Sequence, residues 1–107
     1  MKFGMVVVAG FSGAVGIKRR PMLVVSTDLY HAERPDVILI VITSQTKKAN
    51  AKTDYVLQDW AVAGLRQPSA VRVYFGMKTP AELTVIGELS ERDRLAVQKI
   101  LRIALDV

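Results

Sequence analysis

The chain has 107 residues, half of them apolar and 23% charged, which is typical of one globular domain rather than a disordered segment. It has no cysteine and a single histidine, His31, so disulfides, thiolate zinc sites, a cysteine nucleophile and a two-histidine site within one chain are excluded. The net charge is +5, and residues 1–53 carry eight basic and three acidic side chains whereas residues 54–107 carry seven of each. This asymmetry indicates a half that faces a polyanion or an acidic protein, although a solvated basic surface has the same composition.

The first part of the chain is predicted to form two strands joined by a basic loop. A run of valines predicts a strand over Gly4–Phe11. Ser12–Arg20 is predicted to be a loop because it contains two glycines and ends in three basic residues. Pro21 is expected to open the second strand, Met22–Ser26, since proline has no N–H to contribute inside a sheet.

The central strand is predicted over Asp36–Thr43, which is apolar on both faces. Polar segments flank it: Thr27–Pro35 reads as a turn and Ser44–Thr53 as a basic loop. Three further strands are predicted after the basic loop, at Asp54–Trp60, Ser69–Phe75 and Leu83–Leu89.

The last segment has the pattern of an amphipathic helix. Ser90 followed three residues later by Asp93 resembles a capping box, and Glu91 suits the positive end of the helix dipole. The predicted buried stripe consists of Leu95, Val97, Ile100, Leu101 and Ala104. Six strands and one terminal helix, without a strand–helix alternation, predict a mainly β fold: a small antiparallel barrel or half-barrel, with residues 1–107 as a single domain.

Several kinds of chemistry have no matching motif in the sequence. Gly10, Gly13 and Gly16 lack the spacing of a phosphate-binding loop, and no serine lies in a nucleophile elbow. The carboxylates form no matched pair of the glycosidase type. No apolar run approaches the roughly 18–20 residues of a membrane-spanning helix, and the apolar N-terminus has no clear signal-cleavage site, so a cytoplasmic protein is expected.

Two polar places remain, each at the junction of a strand and a basic loop. Arg20 precedes Pro21, which holds it extended, and Thr43, Ser44 and Gln45 lie where the central strand ends. A guanidinium can bind a phosphate through two hydrogen bonds and resists deprotonation, so it suits stabilisation of a phosphorane better than ordinary base catalysis. From this pattern alone, a surface charge and a strand-end hydroxyl remain an open interpretation.

Four segments in order carry the pattern of a known family. Lys18–Ser26 (KRRPMLVVS) resembles a basic-Arg-Pro-x-Leu-Val-Val-Ser segment, and Val37–Ser44 (VILIVITS) an apolar strand that ends in Ile-Thr-Ser. Gly64–Val73 (GLRQPSAVRV) is similar to Gly-Leu-x-x-x-Ser-x-Val, and Ile86–Asp93 (IGELSERD) to a Gly-x-Leu-Ser that leads into a last helix. By these motifs, which run over nearly the whole chain, it resembles the MazF/PemK (Kid-like) family of toxin endoribonucleases.

The resemblance implies an SH3-like β-barrel of the MazF/CcdB type, with a C-terminal helix, that forms a homodimer. It implies the toxin of a type II toxin–antitoxin system that cuts single-stranded RNA at short sequence motifs and so inhibits translation. In the family, the arginine before the proline and the threonine that ends the central strand are catalytic, which here are Arg20 and Thr43. The implied reaction needs no metal or cofactor: the ribose 2′-hydroxyl attacks phosphorus and leaves a 2′,3′-cyclic phosphate and a 5′-hydroxyl.

In this interpretation, Arg20 stabilises the phosphorane and can relay a proton, while Thr43 orients the non-bridging oxygens. The side chains expected to hold the flanking RNA are Lys18, Arg19, Ser44, Gln45, Lys47 and Lys48. The expected silencing partner is an antitoxin with an acidic, disordered tail, and the family's toxin–antitoxin complexes bind DNA through the antitoxin.

One departure from the family pattern and two alternative functions bear on this interpretation. Many relatives have Gly-Asp at the start of the first strand, where this chain has Gly4 and Met5, so a carboxylate that could anchor the loop near Arg20 is missing. The alternatives are a CcdB-like toxin that binds gyrase without chemistry, and a degenerate member that binds only RNA or an antitoxin. The presence of Arg20 and Thr43 argues against the gyrase-binding toxin.

Overall fold

The computed structural model describes residues 1–13 and 16–107, without the side chains of residues 11–13 and 17. Within these residues, six strands form one antiparallel sheet: β1 (Met5–Gly13), β2 (Gly16–Val24), β3 (Val37–Thr43), β4 (Asp54–Val56), β5 (Ala70–Lys78) and β6 (Leu83–Glu88). The two helices are α1 (Asp28–Glu33) and α2 (Glu91–Leu105), and single 3₁₀ turns cover Thr46–Lys48 and Pro80–Glu82. The predicted mainly β fold with a C-terminal helix is confirmed.

The strands lie in the order β4-β5-β3-β2-β1-β6, so β4 and β6 are the edges of an open sheet. The segment between β4 and β5 brings these edges together, because its Gly64 packs backbone to backbone on Gly87 of β6. A Cβ at Gly64, where φ is +85°, would lie 2.1 Å from the carbonyl oxygen of Ile86. A Cβ at Gly87 would lie 2.1 Å from the carbonyl oxygen of Ala63. The sheet is therefore a half-barrel, and glycine packing rather than a strand ladder joins its edges.

The predicted loop at Ser12–Arg20 is wrong over most of its length. β2 already begins at Gly16 and pairs with β1, with Lys18 opposite Phe11 and Arg20 opposite Ala9. Residues 14 and 15 of that loop lie outside the described residues. The basic residues are thus held on a strand that pairs with β1, which a sequence pattern of charges does not reveal.

Pro21 does not open a strand but lies inside β2, opposite Val8 of β1. It is tolerated there because β3 pairs with β2 only from Met22 to Val24, so β2 has one neighbour at the proline. The predicted turn at Thr27–Pro35 contains α1, which Thr27 caps by accepting a hydrogen bond from the Tyr30 N–H.

Helix α2 begins as predicted, with the Ser90 side chain accepting from the Asp93 N–H, and it packs against β4 and β5. Val97, Ile100 and Leu101 of the predicted stripe are buried in the larger core cluster. Leu95 is 52% exposed, and Ala104 is exposed as well, so this part of the prediction is wrong. Leu95 lies two residues from Asp93 and from Val97, about 200° around the helix from the buried face.

None of the helices within the described residues is long and apolar enough to cross a membrane.

Candidate functional site

A cleft of about 750 Å³ opens where the N-terminal half of β2 faces the end of β3. Six of the residues predicted from the sequence line it: Lys18, Arg19, Arg20, Thr43, Ser44 and Gln45. Its other walls come from Ile86 of β6 and from the segment between β4 and β5. Lys47 and Lys48 are exposed in the 3₁₀ turn that follows Gln45 and do not line the cleft.

The register of the sheet relates Arg20 to Thr43. Met22 pairs with Val41 where the β2–β3 ladder ends. Continuing this register by two residues along each strand sets Arg20 opposite Thr43, although the strands are no longer paired there. The antiparallel arrangement therefore brings together two side chains that are 23 positions apart in the sequence.

The backbone of Arg20 is fixed in the sheet, whereas its side chain has no partner among the described residues. Its backbone pairs with Ala9 of β1, and the following Pro21 favours an extended conformation. The side chain is exposed, and among the described residues nothing forms a hydrogen bond or ion pair with its guanidinium. This donor fork is available to an anion.

Thr43 is half-buried at the end of β3, where its backbone pairs with Ala70 of β5. Its Oγ1 accepts a hydrogen bond from the Gln45 N–H at 3.1 Å. Because the oxygen is the acceptor in this bond, the hydroxyl hydrogen remains available for donation into the cleft. Arg20 and Thr43 thus both present donors to whatever binds there.

The cleft is strongly cationic. None of the described lining residues is acidic, and four of them are basic: Lys18, Arg19, Arg20 and Arg66. Arg19 also donates to Oγ1 of Thr84 in β6 at 3.4 Å. A concave site with one sign of charge attracts anions and raises their local concentration. The arrangement is suited to bind phosphate groups.

Arg66 is a site residue that sequence reasoning missed. It is exposed in the segment between β4 and β5, and it lines the cleft beside Gly64, Leu65 and Gln67. Its only sequence signal is a cation inside the Gly-Leu-x-x-x-Ser motif, in a segment that reads as a simple turn. Met5, whose identity departs from the family pattern, does not line the cleft and packs against the smaller core cluster.

Asp93 fixes the start of the segment that carries Arg66. Its carboxylate is fully buried, and Oδ1 accepts from the Tyr55 hydroxyl at 2.6 Å and from the Gln58 N–H at 3.1 Å. Oδ2 accepts from the Asp59 N–H at 2.8 Å. Burial, and next the hydrogen bond to Asp93, raise the pKa of Tyr55 to about 12. The first turn of α2 is thereby tied to the chain just after β4.

Asp59 adds a second tie between the same two elements. Arg92 donates to it from Nε and Nη2, each at 2.6 Å, and Ser90 donates from Oγ at 2.6 Å. The hydrogen bonds from Arg92, followed by the one from Ser90, lower the pKa of Asp59 from 3.8 to about 2. Both ties fix the chain shortly before residues 64–67, which line the cleft.

A half-barrel with a C-terminal helix and a cationic cleft at the ends of two strands defines a small β-sheet protein built to bind an anionic partner. The chain belongs to the family described as PemK-like, MazF-like toxins of type II toxin–antitoxin systems, which matches residues 2–105. No curated protein sequence is significantly similar to it.

Solved structures of MazF toxins share the fold. A mycobacterial endoribonuclease in complex with its cognate antitoxin superposes with a TM-score of 0.80 at 18% identity, covering 100% of this chain and 96% of that one. The toxin MazF-mt6 of Mycobacterium tuberculosis gives 0.76 at 23% identity, covering 96% and 97%. A MazE–MazF structure from Deinococcus radiodurans gives 0.78 at 16% identity, covering 100% and 97%.

Proposed function

We propose that this toxin is an endoribonuclease that cleaves single-stranded RNA without a metal ion, with Arg20 and Thr43 as its catalytic residues. The observation that carries the proposal is the cationic cleft itself, which is lined by both Arg20 and Thr43. The Arg20 guanidinium has no partner among the described residues, and the Thr43 hydroxyl hydrogen is free to donate because its oxygen is the acceptor for the Gln45 N–H. Its family membership supports the toxin role, and two structurally similar mycobacterial proteins are described as endoribonucleases.

The proposed reaction is an internal transesterification of RNA. The ribose O2′ attacks the adjacent phosphorus and loses its proton, and the P–O5′ bond breaks as O5′ takes up a proton. The products are a 2′,3′-cyclic phosphate and a 5′-hydroxyl. DNA is not a substrate because it lacks the attacking 2′-hydroxyl.

Arg20 and Thr43 act on the charge that develops at phosphorus. The Arg20 guanidinium donates to the non-bridging oxygens as negative charge accumulates in the phosphorane, where such preorganised donors contribute most. The Thr43 hydroxyl donates a further hydrogen bond and orients these oxygens. Arginine stays protonated at physiological pH, so Arg20 serves primarily as an electrostatic group.

The remaining predicted residues bind RNA on either side of the scissile phosphate. Lys18 and Arg19 extend the cationic wall on β2, and Ser44 and Gln45 contribute polar groups at the end of β3. Lys47 and Lys48, outside the cleft, would contact RNA further along the strand. Such contacts are sensitive to salt because they release counterions from the phosphates.

The proposed partners follow the same charge pattern. Structures similar to this one include toxins bound to their antitoxins, and we assign this chain an antitoxin whose acidic tail occupies the cationic cleft. We also propose that the protein is a homodimer in the cytoplasm and that residues 1–107 form one domain. Light scattering with size-exclusion chromatography tests the dimer, and a monomer would contradict it.

The decisive experiment is cleavage of a long single-stranded RNA in EDTA by wild type, Arg20→Ala and Thr43→Ala. We expect cuts at one short motif, 5′-hydroxyl ends that a polynucleotide kinase can label directly, and at least a hundredfold loss in both variants, the scale of one lost transition-state donor. Thr43→Ser keeps the hydroxyl and should retain most activity. Arg34→Ala, an exposed arginine outside the cleft, is the matched control. Absence of cleavage by the folded wild type, or full activity in Arg20→Ala, would overturn the proposal.

A further inference from the structure

A second cavity of about 200 Å³ adjoins the cleft and shares a wall with it. Its lining is apolar except for one guanidinium: Arg20, Pro21, Met22, Val41, Ile42, Phe75 and Gly76. Arg20, Pro21 and Ile42 also line the cationic cleft. The two cavities therefore meet at the residue that is proposed to hold the scissile phosphate.

An irregularity in the pairing of β5 with β3 lies directly beside Phe75. Ile40 pairs with Phe75 but the next residue, Val41, pairs with Arg72, so Val73 and Tyr74 have no partner on β3. β-bulges change the direction of side chains and occur often beside functional sites. Beyond Arg72, β5 is also free of β4, whose pairing ends there. Phe75 is 50% exposed, which leaves an aromatic ring at the mouth of the small cavity.

The geometry points to a nucleobase subsite: we propose that this cavity takes the base of the RNA nucleotide next to the phosphate bound by Arg20, stacked on Phe75. The inference rests on the proposed function, since it requires RNA in the cleft. A nucleotide carries an anionic phosphate and a flat base a few ångströms apart. The Arg20 guanidinium would bind the phosphate, and the adjoining apolar cavity would hold the base. Aromatic rings are common platforms for single-stranded bases, and arginine planes stack on them as well.

The lining also predicts how selective the subsite is. Among the described residues that line it, Arg20 alone has a charged or hydrogen-bonding side chain, so the pocket offers few groups to read a base edge. Recognition by stacking tolerates different bases because every base has a π face. We therefore expect this position of the RNA to require a base without strongly requiring a particular one.

The test compares Phe75→Leu, which keeps an apolar side chain but removes the ring, with Tyr74→Leu. Tyr74 is the neighbouring aromatic residue in the bulge; it is exposed to a similar extent and does not line the cavity. Binding is measured by fluorescence anisotropy with a mixed-sequence 2′-O-methyl RNA, which cannot be cleaved. We expect Phe75→Leu to weaken binding about tenfold, within the range for one lost stacking contact, and Tyr74→Leu to change it less than twofold. Phe75→Tyr keeps the ring and should bind as wild type.

Photocrosslinking with 5-iodouridine RNA gives a second readout, with Phe75 as the expected crosslinked residue. Equal affinity of Phe75→Leu and wild type, or crosslinks that avoid Phe75, would overturn the subsite. A Phe75→Leu protein that changes its oligomeric state in light scattering would also overturn it, because the occupant would then be a second copy of the chain. Phe75-dependent binding without any RNA cleavage would retain the subsite and contradict only the proposed reaction.

Discussion

A buried carboxylate that satisfies three donors is costly to remove, and Asp93 is such a group. Asp93→Ala would leave the Tyr55 hydroxyl and two backbone N–H groups without their acceptor, at about 1–3 kcal/mol for each unsatisfied group. We expect urea denaturation to show a loss of about 3 kcal/mol or more in the free energy of unfolding. Glu91→Ala, at an exposed position in the same turn, is the control and should change it by less than about 1 kcal/mol. Similar losses in the two variants would contradict this role for Asp93.

The bond between Asp59 and Arg92 predicts a particular acid sensitivity. Hydrogen bonds from Arg92 and Ser90 hold the pKa of Asp59 near 2, below its usual value of 3.8. A carboxyl whose pKa is lower in the folded state stabilises the fold fully above its unfolded-state pKa, and this contribution is lost as the pH falls toward the folded-state value. The unfolding free energy of Asp59→Asn should therefore depend less on pH between 3.8 and about 2 than that of wild type. Denaturation at several pH values tests this, with Asp106→Asn at the exposed C-terminus as the control.

At the scale of elements, the contact between Gly64 and Gly87 is what joins the two edges of the half-barrel. An added Cβ at either position would lie 2.1 Å from a backbone carbonyl oxygen, which cannot move as a flexible side chain could. We expect Gly64→Ala and Gly87→Ala each to lower the unfolding free energy by about 2 kcal/mol or more, through overpacking and displacement of the segment.

The control for the glycine variants is Gly76→Ala in β5. A Cβ there would meet only the flexible end of Met22 at 3.4 Å, so thermal melting should show little change. Displacement of the Gly64 segment should also move Arg66, so the two destabilised variants should bind single-stranded RNA more weakly. A Gly64→Ala protein as stable as wild type would contradict the close packing of Gly64 on β6.

Some elements are predictable from local pattern, and others are not. β3 follows its prediction because an apolar run between polar loops suits a buried strand, and the start of α2 follows from Ser90. Asp93 shows the limit of such reasoning. Its position three residues after Ser90 reads as a capping box, yet its carboxylate binds groups that are 34 to 38 residues away. Capping motifs are local, whereas the docking of a loop on a helix is a long-range contact.

For the whole molecule, the distribution of charge predicts how salt affects RNA binding. The logarithm of the affinity for single strands falls with the logarithm of salt concentration by about 0.7 for each phosphate neutralised. Four cations line the cleft, so the slope should be about −3 for one protomer with a short RNA. Lys18→Gln or Arg66→Gln should each reduce its magnitude by about 0.7, whereas Lys47→Gln on a short RNA should have a smaller effect. Titrations of one oligonucleotide at several salt concentrations measure this, and equal slopes in all variants would contradict a cleft-centred interface.

The sequence by itself determined the fold class, the helix at the C-terminus and the basic first half, because composition and periodicity can be read directly along the chain. Its four motifs also indicated the candidate pair Arg20 and Thr43, through the resemblance to the MazF/PemK family. Only the tertiary structure decided that the register of β2 and β3 sets these two residues opposite each other, and that Arg66, from the segment between β4 and β5, lines the same cleft. It also decided that Phe75 and Arg20 line the same small cavity. Strand register and loop docking depend on the packing of residues that are far apart along the chain, so no window of sequence contains them.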